Sequence, residues 1–327
     1  MNDLGKLAAK LVEIDESSAG QRLDNFLAKV LKGAPKSLIY RIIRSGEVRV
    51  NKGRADASDH VEMGDLVRIP PLRPGTAPET KAQAPAGAAR AAAQFPVLFE
   101  DDALLAIDKP AGLAVHGGSG LKYGVIEALR AARPQAKFLE LVHRLDRETS
   151  GVLMLAKKRP ALVAMHALLR EGKTDKRYLT LVKGVWPHEA KHHVRASLHK
   201  FLTAGGERRV AAVDDEDDDG KEAHTIFTLQ KRFAEASLLE AQLKTGRTHQ
   251  IRVHLASSGY PILGDDKYGD FDLNKAVAKQ GLKRMFLHAA KISFVHPVTE
   301  QRLRIEAPLP DDCARFLVSL AAIPKQK

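Results

Sequence analysis

The chain has 327 residues, 44% of them hydrophobic and 28% charged, so it is long enough for two unequal domains and too apolar to be disordered overall. Lysine and arginine exceed aspartate and glutamate by 52 to 40, and the net charge of +12 favours a polyanionic partner such as nucleic acid. One cysteine, Cys313, excludes a disulfide framework and a multi-cysteine zinc site. Without a signal-like N-terminus or a run of about 20 apolar residues, a cytoplasmic protein that does not span a membrane is predicted.

Residues 10–73 predict a compact α+β unit. Apolar residues at three-and-four spacing mark one amphipathic helix over 23–31 and a second over 38–43, which Pro35 precedes and Gly46 ends. Alternating apolar residues then indicate short strands between 48 and 69.

The charged residues in part of this unit are almost all basic. Between residues 29 and 54 a single acid, Glu47, is outnumbered by eight basic residues: Lys29, Lys32, Lys36, Arg41, Arg44, Arg49, Lys52 and Arg54. A solvated helix face usually mixes both signs, so this excess favours contact with phosphate groups.

Residues 74–94 predict an interdomain linker. Nine of these 21 residues are alanine, three proline and two glycine, and none is a larger aliphatic residue that could be buried. A second domain is expected over 95–323.

In the second domain, the sequence pattern predicts strands with occasional helices. The predicted elements are a hairpin at 97–99 and 104–107, a strand at 152–155, a helix at 160–169, strands at 178–182, 224–229 and 238–243, a helix at 250–257, strands at 286–294 and 303–305, and a helix at 315–322. Because strands and helices do not alternate strictly, we expect an α+β fold with a mixed, mainly antiparallel sheet.

Two short motifs favour structural interpretations. His188 and His192 fit the H-E-x-x-H pattern of zinc hydrolases, but strand-like alternation resumes at Val194, so no helix holds both histidines on one face and a loop is predicted. The acidic run at 215–220 imitates a calcium loop but has Ile226 where its twelfth position needs glutamate, and a solvated hairpin tip is predicted. No glycine-rich phosphate-binding or dinucleotide-binding motif is present, so the sequence offers no sign of a bound nucleotide.

A charged segment at 141–151 is the first candidate for a functional site. It holds Arg144, Asp146 and Arg147 between an apolar pair and a core strand, where binding and catalytic loops commonly lie. On residue types alone, a surface turn in which Asp146 pairs with one of these arginines is favoured.

Two further segments follow. Tyr178 stands at the start of a strand, where an ordinary core or edge tyrosine is also expected. Arg247, His249 and Arg252 cluster near the start of the helix predicted at 250–257, an arrangement that suits an anion.

The segment at 143–151 resembles the signature loop of the RluA-type pseudouridine synthases. Other motifs occur in the order of that family, at 108–113, 176–178, 245–254 and 259–265, and the resemblance extends from about Phe95 to the C-terminus. The N-terminal unit, at 22–24 and 46–51, resembles the small S-four RNA-binding domain.

The resemblance implies a catalytic role for Asp146. It also implies that Arg252 forms an ion pair with Asp146, and that Tyr178 stacks on the uracil and assists removal of the proton from carbon five. Whether Asp146 attacks the base, attacks the ribose or stabilises an oxocarbenium-like state is left open. The reaction is an isomerisation, so no redox cofactor, ATP or metal is implied.

The resemblance also implies RNA contacts. A uridine must leave the base stack before it can react, and Arg144 is expected to fill the vacated place or to hold the backbone. The expected RNA-binding residues are Arg144, Arg247, His249, Lys36, Arg41, Arg44, Arg49 and Lys52.

The branch that modifies 23S ribosomal RNA is the most similar, so the expected partner is that RNA or its large-subunit precursor, bound by a monomer. The alternatives are a synthase acting on transfer RNA, a non-catalytic ribosome-assembly factor that binds RNA, and, more distantly, a zinc hydrolase using His188 and His192.

Overall fold

The computed structural model describes residues 9–31, 33–71, 95–117, 123–203, 205–213 and 220–320. The chain divides into two compact units, Met1–Gly87 with Pro134–Phe138, and Ala88–Arg133 with Leu139–Lys327. The predicted linker at 74–94 and the acidic residues 214–219 lie outside the described residues.

The first unit is a small α+β fold. Its elements are β1 (Lys10–Glu13), β2 (Gln21–Arg22), α1 (Leu23–Val30), α2 (Lys36–Arg44), β3 (Arg49–Val50), β4 (His60–Val61) and β5 (Leu66–Ile69). Strand β5 lies between β1 and β3, and β2 pairs with β4. Both predicted helices are confirmed, and the apolar positions that predicted them form the core: Leu23, Phe26, Leu27, Leu38, Ile39, Ile42 and Ile43.

The second unit is built around one large sheet. Its strands are β6 (Val97–Glu100), β7 (Leu104–Lys109), β8 (Glu140–Leu141), β9 (Ser150–Ala156), β10 (Asp175–Lys183), β11 (His192–Leu202), β12 (Arg208–Val213), β13 (Lys221–Arg232), β14 (Ala236–Leu243), β15 (Leu287–Val295) and β16 (Arg302–Glu306). Its described helices are α3 (Val125–Ala132), α4 (Arg159–Arg170), α5 (Gln250–Ser257), α6 (Phe271–Lys279) and α7 (Asp311–Ser319).

The sheet is mixed and mainly antiparallel, as expected for the α+β class. The strand order is β12-β11-β13-β14-β10-β15-β9-β7-β6, with β16 paired to β15 and β8 to β9. Among the described pairs only β9 and β15 run parallel. The predicted fold class is therefore confirmed.

The parallel contact depends on Gly151. This residue has φ +108°, and a Cβ placed on it would lie 2.3 Å from the carbonyl oxygen of Ala289 in β15. Only glycine permits this approach, which brings the charged loop before β9 to the middle of the sheet. Ser150 reinforces the contact, since its hydroxyl lies 2.9 Å from His288 Nδ1 and accepts a 2.6 Å hydrogen bond from Arg284.

Most of the predicted elements of this unit are confirmed, with two kinds of difference. Helices α3 and α6 and strands β8 and β12 were not predicted, and the closing helix begins at Asp311, four residues before the predicted start at Arg315. Its first turn carries Asp311 and Asp312 after Pro310, where acidic side chains are stabilised by the helix dipole.

The H-E-x-x-H segment is a loop followed by a strand, as predicted. His192 begins β11, His188 lies in the preceding loop, and their rings stack at 3.7 Å beside Trp186. In the part of the chain that the structure describes, no group of three or more histidine, cysteine, aspartate or glutamate residues could hold a metal ion. In that same part, no helix is long and apolar enough to cross a membrane.

Candidate active site

A cleft of about 900 Å³ opens in the second unit where the three predicted segments meet. It is lined by all six predicted residues of this unit: Asp146, Tyr178, Arg252, Arg144, Arg247 and His249. The loop before β9, the strand β10 and the start of α5 supply these side chains. We call this space the catalytic cleft.

Lys109 anchors the loop that carries Asp146. This lysine is fully buried at the end of β7, and its ammonium donates to the carbonyl oxygens of Pro110, Leu113 and Arg147 at 2.8, 2.9 and 3.1 Å. The amide of Gly112 also donates to the Arg147 carbonyl at 2.9 Å. Burial lowers the pKa of Lys109 to about 7, although the charges of Glu148 and Asp146 oppose this shift. The loop that carries Asp146 is thus tied to the 110–113 segment.

The Asp146 carboxylate faces two cationic or polar groups without a direct hydrogen bond to either. Its Oδ2 lies 3.6 Å from Arg252 Nη1 and 3.8 Å from His249 Nε2, and the side chain is 28% exposed. Arg147 pairs instead with Glu148 at 2.7 Å, so the surface-turn alternative in which Arg147 holds Asp146 is wrong. The carboxylate remains open to the catalytic cleft.

Arg252 is held by a different carboxylate. Asp265 accepts hydrogen bonds from Nε at 2.7 Å and from Nη2 at 2.6 Å, and Asp266 lies 3.2 Å from Nη2. Burial alone would lower the pKa of Arg252, but Asp265 and Asp146 raise it above its ordinary value. The expected ion pair with Asp146 is therefore present only as the longer contact at 3.6 Å, while Asp265 takes the hydrogen bonds.

His249 is oriented by Tyr268. It stands at the N-terminus of α5 with a left-handed backbone, φ +54°, and its Nδ1 lies 2.8 Å from the Tyr268 hydroxyl. That hydroxyl oxygen also accepts the Val210 amide at 3.0 Å. We assign the phenol proton to His249 Nδ1, because this satisfies all three groups and leaves the imidazole proton on Nε2, facing Asp146. Burial lowers the pKa of His249, which favours this neutral form.

Tyr178 lies on β10 with a side chain that is almost fully buried. Burial and the negative charge of Asp146 raise the pKa of its phenol well above the usual value. Tyr178 is therefore a neutral phenol at physiological pH, and its ring lines the catalytic cleft.

The two remaining arginines that were predicted for the site are exposed. Arg144 lies in the loop two residues before Asp146, and Arg247 donates through Nε to the Glu222 carbonyl at 3.0 Å. Both are positioned where an anionic ligand could meet them.

The predicted basic residues of the first unit are exposed on that unit. Lys36, Arg41, Arg44, Arg49 and Lys52 are all exposed, as are Lys29 and Arg54, while Lys32 lies outside the described residues. Arg49 donates to the Lys52 carbonyl at 3.2 Å, within the turn where Asn51 and Lys52 have positive φ. We call these exposed basic residues, Lys29, Lys36, Arg41, Arg44, Arg49, Lys52 and Arg54, the exposed basic face.

Three residues of the site were not predicted. Lys109, Asp265 and Tyr268 act through other groups, so their residue types alone did not distinguish them from ordinary surface charges or core aromatics. Lys109 and Asp265 do lie within the motif segments 108–113 and 259–265, which was the available signal.

Family models match both units. The family described as RNA pseudouridylate synthase matches residues 103–257, and the S4 domain family matches residues 21–67. "Ribosomal large subunit pseudouridine synthase C" of Shigella flexneri is 51% identical over 315 residues, which cover 96% of this chain and 97% of that protein. The protein of the same name from Yersinia pestis is 50% identical, covering 95% of each chain.

Two solved structures share their fold with most of this chain. "Human RNA Pseudouridylate Synthase Domain Containing 4" matches with a TM-score of 0.58 and 27% identity, covering 70% of this chain and 94% of that one. "Human RNA Pseudouridylate Synthase Domain Containing 1" matches in fold, with a TM-score of 0.59 and 19% identity over 72% of this chain and 91% of that one. Since relatives about half identical to it extend over nearly its whole length, the chain belongs to the RluA-type RNA pseudouridine synthases and carries an N-terminal S-four domain.

Proposed function

We propose that this enzyme isomerises specific uridines of 23S ribosomal RNA to pseudouridine, with Asp146 as the catalytic carboxylate. The observation that carries the substrate assignment is the 51% identity, over nearly the full length of both chains, to a protein named ribosomal large subunit pseudouridine synthase C. We further propose that it acts as a monomer in the cytoplasm, on the ribosomal RNA or its precursor.

The reaction requires a carboxylate that stays ionised next to the ribose and base. The bond between N1 and the ribose carbon breaks, carbon five forms the new bond to that ribose carbon, and the proton of carbon five is replaced by one on N1. No atom is gained or lost, so the chemistry calls for no oxidant or ATP. Asp146 supplies the carboxylate, and it acts on the base or the ribose, or stabilises positive charge that develops at the sugar.

Arg252 and Tyr178 support Asp146 in different ways. The Arg252 guanidinium lies 3.6 Å from the Asp146 carboxylate and attracts its negative charge, and its hydrogen bonds to Asp265 keep it from closing on the carboxylate. The Tyr178 ring stacks on the uracil, and its hydroxyl assists removal of the proton from carbon five.

The target uridine must leave the RNA stack to reach this cleft. Unstacking costs a few kcal/mol, and loops and bulges lose the least when a base is extruded. We propose that Arg144 fills the vacated place or holds the backbone, and that Arg247 binds a nearby phosphate. The exposed basic face of the S-four domain contributes affinity that is independent of sequence.

A pseudouridine map of 23S ribosomal RNA tests this proposal. Carbodiimide labelling and primer extension are compared in the parent strain, a strain lacking the gene, and deletion strains carrying the wild type, Asp146→Asn or Asp272→Asn. Asp272 is 93% exposed on α6 and forms an ion pair with Lys275, so its variant loses the same charge away from the cleft.

We expect specific stops to vanish on deletion and to return with the wild type and Asp272→Asn, but not with Asp146→Asn. The purified Asp146→Asn protein should still bind the RNA, because the substitution preserves shape. If the 23S map does not change on deletion, the substrate assignment is wrong, and the same comparison on transfer RNA distinguishes a synthase of other specificity from a non-catalytic binding factor.

A further inference from the structure

Lys176 is a half-buried cation in the catalytic cleft to which the reaction above gives no role. It lies on β10, and its ammonium forms no hydrogen bond or ion pair with any residue that the structure describes. The next residue, Arg177, is in contrast bound by Asp175 at 2.9 Å and by Glu240. The two neighbours on this strand therefore differ sharply in electrostatic environment.

Strand geometry explains the difference. Successive side chains of a strand point to opposite faces, so Lys176 shares its face with Tyr178, while Arg177 lies with the two carboxylates on the other face. Both Lys176 and Tyr178 line the catalytic cleft. Alternate residues on one face are about 7 Å apart along the strand, a separation comparable to that between a base and a phosphate of one nucleotide.

The surroundings of the ammonium leave space for an anion. A Cβ built on Gly246 would lie 3.5 Å from Lys176 Nζ, so the ammonium stands directly over the backbone of the loop before α5. That loop also brings Lys244 and Arg247 to the cleft with exposed side chains. A larger residue at position 246 would occupy part of the space next to the ammonium.

A partly desolvated charge without a partner is unfavourable. Burial accordingly lowers the pKa of the Lys176 ammonium. An anionic ligand would remove this cost by supplying the missing charge and hydrogen-bond acceptors.

We propose that Lys176 binds a backbone phosphate of the RNA adjacent to the flipped uridine, with the Gly246 backbone beside it as part of the subsite. This inference rests on the proposed function, since it requires RNA in the catalytic cleft. The ligand is one phosphodiester group, and its position relative to the base stacked on Tyr178 sets the register of the target nucleotide.

A mutant cycle between protein and RNA tests the proposal. The RNA is a 23S fragment that contains a mapped target uridine. It is prepared with all phosphates intact and as a set of RNAs, each of which has a single neutral methylphosphonate at one of the positions near the target. Binding is measured by fluorescence anisotropy for the wild type, Lys176→Met and Lys176→Arg over a series of salt concentrations. Turnover is measured by release of tritium from carbon five of the uridine.

Lys176→Met should weaken binding about tenfold, as expected for one charge-assisted contact. It should also reduce the slope of log K against log salt by about 0.7 to 0.9, the contribution of one phosphate. A methylphosphonate at one position should weaken binding of the wild type but not of Lys176→Met. Lys176→Arg should retain most of the affinity and the salt slope.

Lys244→Met is the matched control, because it removes the same charge from an exposed position on the same cleft. One methylphosphonate is expected to weaken RNA binding by the wild type but not by Lys176→Met. The losses of affinity caused by Lys244→Met and by that same methylphosphonate should be additive. Thermal denaturation of each variant reports folding, and Lys176→Gln replaces Lys176→Met if the latter is unstable.

The losses of affinity caused by Lys176→Met and by a methylphosphonate could prove additive at every position tested, in an enzyme that still modifies the fragment. That result would overturn the proposed subsite and leave the proposed function unaffected. A loss of turnover with unchanged affinity would also overturn it, by assigning Lys176 to a proton-transfer step. If the wild type neither binds nor modifies any 23S fragment, the proposed function fails and the subsite with it.

Discussion

Asp265 fixes the orientation of Arg252 through two hydrogen bonds of 2.7 and 2.6 Å, and both side chains are buried. The pair leaves the Nη1 edge of the guanidinium 3.6 Å from Asp146. Because Asp265 accepts the shorter hydrogen bonds, Arg252 acts on the Asp146 carboxylate through its charge and leaves the carboxylate oxygens open to the cleft. The ion pair thus both stabilises the fold and orients the site.

Replacing Asp265 with asparagine should destabilise the protein. Arg252 would then be a buried cation with only weak remaining partners, and removal of one member of a buried pair typically costs about 3 to 5 kcal/mol. Urea denaturation measures the change in the free energy of unfolding. Asp266→Asn is the control, because Asp266 also contacts Arg252 but is 56% exposed, and its loss should cost less than about 1 kcal/mol. Equal losses in both variants would contradict a special role for Asp265.

Removing the Tyr268 hydroxyl should slow catalysis. Tyr268→Phe frees the His249 ring, which then no longer presents its Nε2 proton to Asp146, 3.8 Å away. We expect kcat to fall about tenfold, with KM for RNA changed less than about twofold, because the geometry of the reacting groups is affected more than RNA binding. Tyr260→Phe removes a phenol hydroxyl that does not line the cleft and should leave kcat unchanged. An increase in KM alone would instead assign His249 to RNA binding, the role predicted from sequence.

Three histidines, the buried His254 and His288 and the half-buried His143, make stability depend on pH. Burial lowers the pKa of His143, His254 and His288 to about 4 each, below the ordinary value of about 6.5 in an unfolded chain. Between these values the unfolded chain binds protons that the folded chain excludes. The stabilisation is therefore complete above about pH 6.5 and is lost as the pH falls toward 4, by up to about 1.4 kcal/mol per pH unit for each histidine.

Urea denaturation at pH 7, 6 and 5 measures this loss. In the variant His254→Gln, the free energy of unfolding should fall less steeply as the pH decreases, because a single buried imidazole has been removed. The difference in slope corresponds to the uptake of about one proton on unfolding. Carboxylates that titrate in the same pH range contribute equally to both proteins, so their contribution cancels when the variant is compared with the wild type. Parallel curves for the two proteins would show that His254 does not resist protonation.

The exposed basic face of the S-four domain should dominate the salt dependence of RNA binding. Replacing Lys36, Arg41, Arg44 and Lys52 together with glutamine should weaken binding and reduce the salt slope by about 0.7 to 0.9 for each phosphate that is no longer neutralised, while kcat at saturating RNA is unchanged. The control removes the same charge from exposed residues of the second unit, Lys275, Lys279, Lys283 and Arg315. An equal fall in slope in both variants would mean that only net charge matters.

Elements with strong local signals were predictable from the sequence. The helix predicted at 250–257 is α5 residue for residue, and the helix predicted at 160–169 differs from α4 by one residue at each end. Helix α6 was missed because its buried face is small: Val277 is its one buried residue, and Leu273 packs partly buried beside it. Asp270 caps the helix by accepting the Leu273 amide at 3.0 Å.

The chemistry of the catalytic cleft was likewise readable along the chain, because Asp146, Tyr178 and Arg252 lie in recognisable local motifs. The hydrogen-bond partners that hold these residues were not predictable, although the longer contact between Arg252 and Asp146 was expected. Arg252 is hydrogen-bonded to Asp265, and His249 is oriented by a tyrosine whose hydroxyl binds an amide 58 residues away in β12. Residue type and spacing determine local conformation and available chemistry, whereas burial and choice of partner depend on packing between segments distant in sequence.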